Sequence, residues 1–202
     1  MNLTEQKKIK HVGFTIAIGF IGSFAAFAFS FLFPPDKSKD IWVMPEASMI
    51  AQEISLALYI FGCTVFGLKL AEEKKTLPAA GFTMMAIAQG VYFILYFMNL
   101  ESPEKLIEGY NTFCGMLYLL LPAMILIALY AEFPRWVNFM GIIACIPNIM
   151  VYIKFMSTKK YDNELDFLSF ISLILFNITS LIWGIFVLRN MKRDIEISNQ
   201  KS

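Results

Sequence analysis

Six long runs almost free of charge, divided by short clusters of Lys, Glu, Asp and Pro, restrict this chain more than any other feature. A helix rises 1.5 Å per residue, so about 20 apolar residues cross the roughly 30 Å hydrocarbon core of a bilayer. No water is present there to satisfy backbone N–H and C=O groups, and helices satisfy them internally. The chain is 57% hydrophobic and 16% charged over 202 residues, too apolar for a single soluble domain to conceal. The reading is therefore an all-α, polytopic integral membrane protein, a six-transmembrane-helix bundle whose first partner is the lipid bilayer.

The spans are predicted at 12–33, 49–69, 77–100, 109–131, 136–153 and 167–188, in one transmembrane domain covering 1–202. Residues 189–202 form a charged tail that is expected to fray. Pro34-Pro35 stops the first run, and Trp42 in the following loop suits a membrane interface. A cleaved signal peptide ending near Ala26-Phe27-Ala28 is the rival for this first run. Its apolar part is too long for that role, so it is read as a retained span. Thr15, Gly19 and Ser23, spaced by four, give it a small-residue face for close helix packing. Pro78 opens the third span, where a helix tolerates proline. Asp162 or Asn163 is the expected cap of the sixth. Pro122 and Pro147 fall inside spans four and five, where each removes a backbone hydrogen bond.

The second and third spans form one hairpin around Glu72-Glu73-Lys74-Lys75, the fourth and fifth another around Glu132-Phe133-Pro134-Arg135. Leu58-Tyr59 recurs as Leu117-Tyr118, Phe82 as Phe139 and Phe97-Met98 as Phe155-Met156, at nearly constant spacing. These matches are compatible with a bundle of repeated antiparallel hairpins, although apolar sequences also match by chance. Six spans put both termini on one side. Eleven of the 17 Lys and Arg lie at the termini and in the two short turns, which by the positive-inside rule assigns that side to the cytoplasm of a cell membrane.

A charge inside a membrane is expensive, roughly 3 kcal/mol at a helix centre and less toward the ends. Glu53, about one turn inside span two, is thus the principal candidate for function. Counted along their helices, Glu53, Tyr92, Tyr96, Asn111, Asn148 and Tyr152 fall in the half away from the termini, with Gln89 and Asn177 near the middle. Glu53, Gln89, Tyr92, Asn148 and Asn177 are the expected ligand-binding residues of an extracytoplasmic pocket. Against this stands a bland alternative, in which Glu53 snorkels to the interface and the amides bond across helices as packing glue.

Enzyme chemistry is short of parts. His11 is the only histidine and lies at a helix edge, so no His pair can hold zinc, di-iron or haem. No G-x-S-x-G, H-E-x-x-H or phosphate-binding glycine loop occurs. Cys63, Cys114 and Cys145 sit alone in apolar runs and read as small apolar residues. No catalytic residue, metal or cofactor is assigned, and without a basic stripe no nucleic-acid partner is expected. The expected function is the binding or transport of a small, largely apolar or cationic molecule, with Glu53 as the charged contact. A non-catalytic accessory subunit with a membrane protein partner and a membrane enzyme using Glu53 are the alternatives.

Overall fold

The computed structural model describes residues 3–33, 45–94, 103–158 and 163–200. Trp42, Tyr96, the Phe97-Met98 half of the repeat and the proposed cap Asp162 lie outside them. Every regular element described is an α-helix. In chain order these are α1 (Leu3–Ser30), α2 (Glu46–Glu72), α3 (Thr76–Ile94), α4 (Pro103–Tyr130), α5 (Arg135–Thr158) and α6 (Asn163–Gln200). Over their described residues all but α4 are long and apolar enough to cross a membrane, and α4 carries the shorter apolar stretch Cys114–Tyr130.

Helix ends follow local chemistry. The chain leaves α1 through a tightened turn, with Phe31, Leu32 and Phe33 amides each bonded to the carbonyl three residues back, just before Pro34 forbids continuation. Helix α4 begins earlier than the sequence suggested because Pro103 stands at its first position, where a missing N–H costs nothing. The tail expected to fray is helical to Gln200. Residues 185–200 contain neither glycine nor proline, so nothing breaks the turn sequence begun in the membrane.

Each helix packs on its neighbours in the chain, and α6 returns to α1, closing a ring. The directions alternate: Lys8 at the start of α1 meets Glu72 at the end of α2, and Gly13 of α1 faces Met191 of α6. Both termini and the two short turns therefore share one end, called here the terminal end. Small residues set the spacing. A Cβ on Gly19 would lie 2.6 Å from the Cα of Gly62, so α1 and α2 touch backbone to backbone at the small-residue face.

The ring is filled in its terminal half by aromatic rings. Trp183 is fully buried and contacts Phe20 (centroids 5.6 Å apart), Phe82 (5.0 Å) and, in a stacked pair, Phe133 (6.3 Å). Phe66 meets Phe20, Phe82 and Phe133. Phe133 comes from the turn between α4 and α5, which bends inward because the Asn138 side-chain amide donates to the carbonyls of Ala131 and Phe133.

The turn after α2 carries a different burden. Lys74 adopts φ 60°, a left-handed conformation costly to a residue with a Cβ, and the turn closes with Lys74 N–H on Ala71 and Lys75 N–H on Leu70. Burial by itself would raise the Glu73 carboxyl, but its bonds to Lys75 (2.9 Å) and Lys69 (3.2 Å) win and hold it below the ordinary carboxylate range. Partial burial would likewise lower the Lys75 ammonium; Glu132, at 2.7 Å, and Glu73 outweigh it and raise it. A depressed carboxylate stabilises the fold above its unfolded pKa and loses that contribution as pH falls through the folded value. A raised lysine does so below its unfolded pKa and loses it as pH climbs through the folded value. The turn thus works across neutral pH and fails in acid and in strong base.

Two measurements check these packing claims. Gly19→Val should lower the melting temperature of the detergent-solubilised protein by an amount corresponding to about 1–3 kcal/mol, since the facing atom is backbone and cannot move aside. Gly90→Ala, which meets nothing within 4 Å, should leave it unchanged. Lys75→Met should reduce the melting temperature at pH 7, and the deficit should shrink below the ordinary carboxylate range. A deficit equal at both pH values would show that Lys75 acts by packing and not by charge.

Candidate functional site

In the half of the ring away from the termini the aromatic filling gives way to polar side chains. A cavity of about 30 Å³ lies on the ring axis, lined by at least one residue from each of the six helices. Ser23 comes from α1, Ser55 and Tyr59 from α2, Gln89 and Tyr92 from α3, Met116 from α4, Asn148 from α5, and Ser172 and Asn177 from α6. Leu56, Leu173 and Phe176 supply an apolar wall. At roughly 10–15 Å³ for each water-sized body, the space admits about two such groups, far below the roughly 300 Å³ of a drug-sized pocket.

Two helices bring most of the polar lining because they carry polar stripes at helical spacing. On α2 the buried Ser48, Gln52, Ser55 and Tyr59 recur every three or four residues, and on α6 Ser169 and Ser172, then Asn177 and Ser180, each stand three apart. Tyr59 reaches the cavity from the level where the aromatic filling begins, its ring edge-on to Phe20 at 6.0 Å.

Part of this lining is paired. The Ser55 hydroxyl lies 2.8 Å from the Ser23 carbonyl, 3.2 Å from the Ser23 hydroxyl and 3.2 Å from Asn177 Oδ1, and Asn177 Nδ2 donates to the Leu173 carbonyl at 2.9 Å. Ser172 donates to the Ala144 carbonyl at 2.9 Å. That carbonyl lies in the turn before Pro147, one residue after the Ile143 carbonyl that the proline leaves without its helical donor, so the Ser172 bond links α5 to α6 and does not repair the break.

Three other members, Asn148, Tyr59 and Gln89, are less well served. Asn148 is 2% exposed and its Oδ1 has no hydrogen-bond partner. The Tyr59 hydroxyl, on a residue 4% exposed, has the weak thiols of Cys63 and Cys145 near it and no sound hydrogen bond. Gln89 Nε2 reaches no better acceptor than the Met85 sulfur at 3.9 Å. A buried polar group without a partner costs about 1–3 kcal/mol; among the described residues Ser48, Tyr59, Asn138, Asn148 and Trp183 each carry one, and of these Tyr59 and Asn148 line the cavity. The arrangement offers a hydrogen-bond acceptor and a hydroxyl to a small neutral group, walled by hydrocarbon. Among the described residues no charged side chain lines it.

Of the five residues singled out from sequence, the structure brings Gln89, Tyr92, Asn148 and Asn177 to this cavity and leaves Glu53 outside its lining. Glu53 is half-buried and follows Gln52 by one residue, a rotation of about 100° away from the inward stripe and toward the exposed Ile54. Asn111 is exposed, and Tyr152 bonds Tyr118 instead of facing the cavity. Ser55, Tyr59 and Ser172 were not singled out as site residues. Their signal was the stripe: a serine at helical spacing from an amide and a phenol marks an inward face more surely than an isolated carboxylate. Cys63, Cys114 and Cys145 are buried and form no disulfide, and among the described residues no cluster of His, Cys, Asp and Glu could hold a metal ion.

Paired and unpaired members should respond to substitution in opposite senses. Ser55→Ala removes bonds to α1 and α6 and should destabilise the protein by about 0.6–2 kcal/mol. Asn148→Leu fills the same volume while deleting the orphaned oxygen and should stabilise it by about 1 kcal/mol or more, read as a rise in melting temperature. A loss of stability in Asn148→Leu would mean that the amide is satisfied where it stands. No family model, no curated protein and no solved structure matches the chain, so what the cavity does is read from its residues.

Proposed function

We propose that this protein binds the polar end of a small, largely apolar, neutral molecule in the cavity on its ring axis. The observation that carries the reading is that Asn148 and Tyr59, whose side-chain oxygens are buried without a hydrogen-bond partner, both line a cavity with room for about two water-sized groups. An alcohol or primary amide presents a donor to the Asn148 oxygen and an acceptor to Tyr59, and its chain suits Leu56, Leu173 and Phe176. The neutral class is favoured over the cationic one because Glu53 stands off the lining. Binding is favoured over passage because the rings of Phe20, Phe66, Phe82, Phe133 and Trp183 fill the axis below the cavity.

The lysine and arginine distribution supports a cytoplasmic membrane protein with both termini in the cytoplasm, so that the cavity belongs to the outward half. Glu53 then lies close to the outer headgroups.

The test is ligand-induced stabilisation in detergent, with 1-decanol and decanamide as neutral probes and tetrabutylammonium as the cationic one. At about 100-fold above its Kd a bound probe adds about 2.7 kcal/mol, on the order of 5 °C or more in melting temperature for a chain of this size. Either neutral probe should give this shift with the wild type and not with Asn148→Leu; tetrabutylammonium should give none. An unchanged melting temperature with both neutral probes, or a shift that survives Asn148→Leu, defeats the reading.

A further inference from the structure

The seams of the ring are not sealed alike. Buried serine hydroxyls cross three of them to main-chain carbonyls: Ser55 to Ser23 between α1 and α2, Ser180 to Phe20 (2.9 Å) between α1 and α6, and Ser172 to Ala144 between α5 and α6. The seam between α4 and α5 is the sparsest in the ring. It is also where both helices carry an internal proline, Pro122 and Pro147, and so have the least continuous backbone ladders.

What closes this seam on its outer side is a pair of phenols. The Tyr118 and Tyr152 hydroxyls meet at 3.1 Å, their rings edge to face at 6.2 Å, and Tyr118 is 69% exposed on the surface that faces lipid. Behind them lies the cavity. Asn148 precedes Tyr152 by one turn on α5, and Met116 is the α4 residue of the lining. The phenol pair and the Asn148 side of the cavity are thus one helical turn apart along α5.

We propose that the α4–α5 seam is a lateral opening through which a membrane-dissolved molecule reaches the cavity, with the Tyr118–Tyr152 pair as its latch. The proposal rests on the reading of the cavity as a binding site and names the ligand further, as an elongated lipid-soluble molecule with one uncharged polar end. Two phenols parted in hydrocarbon would each lose a partner, which keeps the latch shut in the empty protein. A hydroxyl or amide arriving from the bilayer replaces the lost bond and is then passed to Asn148. Water-borne ions find nothing to compensate them along this path.

Access can be read by thiol modification of Asn148→Cys, in a chain with Cys63, Cys114 and Cys145 changed to Ala, in phosphatidylcholine–phosphatidylglycerol vesicles. Lipid-soluble N-cyclohexylmaleimide should modify the introduced thiol, and a quaternary-ammonium methanethiosulfonate should not. Tyr118→Phe and Tyr152→Phe should each raise the maleimide rate about fivefold, the shift in open population that one ordinary hydrogen bond holds back. Tyr130→Phe, exposed on α4 but away from the latch, should not change it. If the cysteine-free chain does not fold, mapping the modified thiols by mass spectrometry in the otherwise native chain gives the same comparison. Equal modification by the cationic reagent, a rate indifferent to both latch variants, or a folded protein whose introduced thiol stays unmodified would each overturn the lateral opening. The two readings fail separately: loss of decanol stabilisation with this labelling pattern intact defeats the binding reading alone, and the reverse defeats the opening alone.

Discussion

A polar group placed in hydrocarbon has to find its partner inside the protein, and the architecture follows from how this chain meets that demand. The backbone meets it by being helical. The serines meet it by donating across seams to carbonyls, as Ser55, Ser172 and Ser180 do. Tyr118 and Tyr152 meet it on the outer surface by bonding each other. Five described side chains, Ser48, Tyr59, Asn138, Asn148 and Trp183, keep a buried polar atom without a partner, and of these Asn148 and Tyr59 line the cavity.

The closed ring divides into two halves with different duties. Near the termini, Trp183 and four phenylalanines pack mostly edge to face, with Trp183 stacked on Phe133, and shut the axis, helped by a turn that sends Phe133 inward instead of into solvent. Ion pairs among Lys69, Glu73, Lys75 and Glu132 fasten the same end from outside. The other half gives up packing for a small polar cavity. This division of labour resembles the general trade between stability and function, in which a site retains groups that a purely structural core would replace with hydrocarbon.

Rigidity is distributed just as unevenly. Helices α5, α6, α1 and α2 are joined in sequence by serine bonds, and α1 meets α2 backbone to backbone at Gly19 and Gly62. Helices α4 and α5 have internal prolines and meet along the sparsest seam. A bundle of six helices can therefore be firm through most of its circumference and yielding at one place, with no change in secondary structure.

The fold class was legible in the sequence, because uncharged runs of bilayer length leave the backbone no other choice, and so was the small-residue face of the first helix. Helix ends were less so: Pro103 read as a loop residue from sequence, and only its place at the start of α4 shows it as a helix opener. For the site, an amide or phenol in an apolar run announces that it needs a partner, which is why Gln89, Tyr92, Asn148 and Asn177 were visible. Glu53 was visible for the same reason, yet one residue of rotation separates it from the inward stripe through Gln52 and Ser55. Composition and spacing fixed how many helices there are and which of their residues are polar at which depth. Which of those residues face one another, and which are left unpaired, depended on helix rotation and ring order, quantities set by side-chain packing between elements distant in the chain and carried by no local pattern.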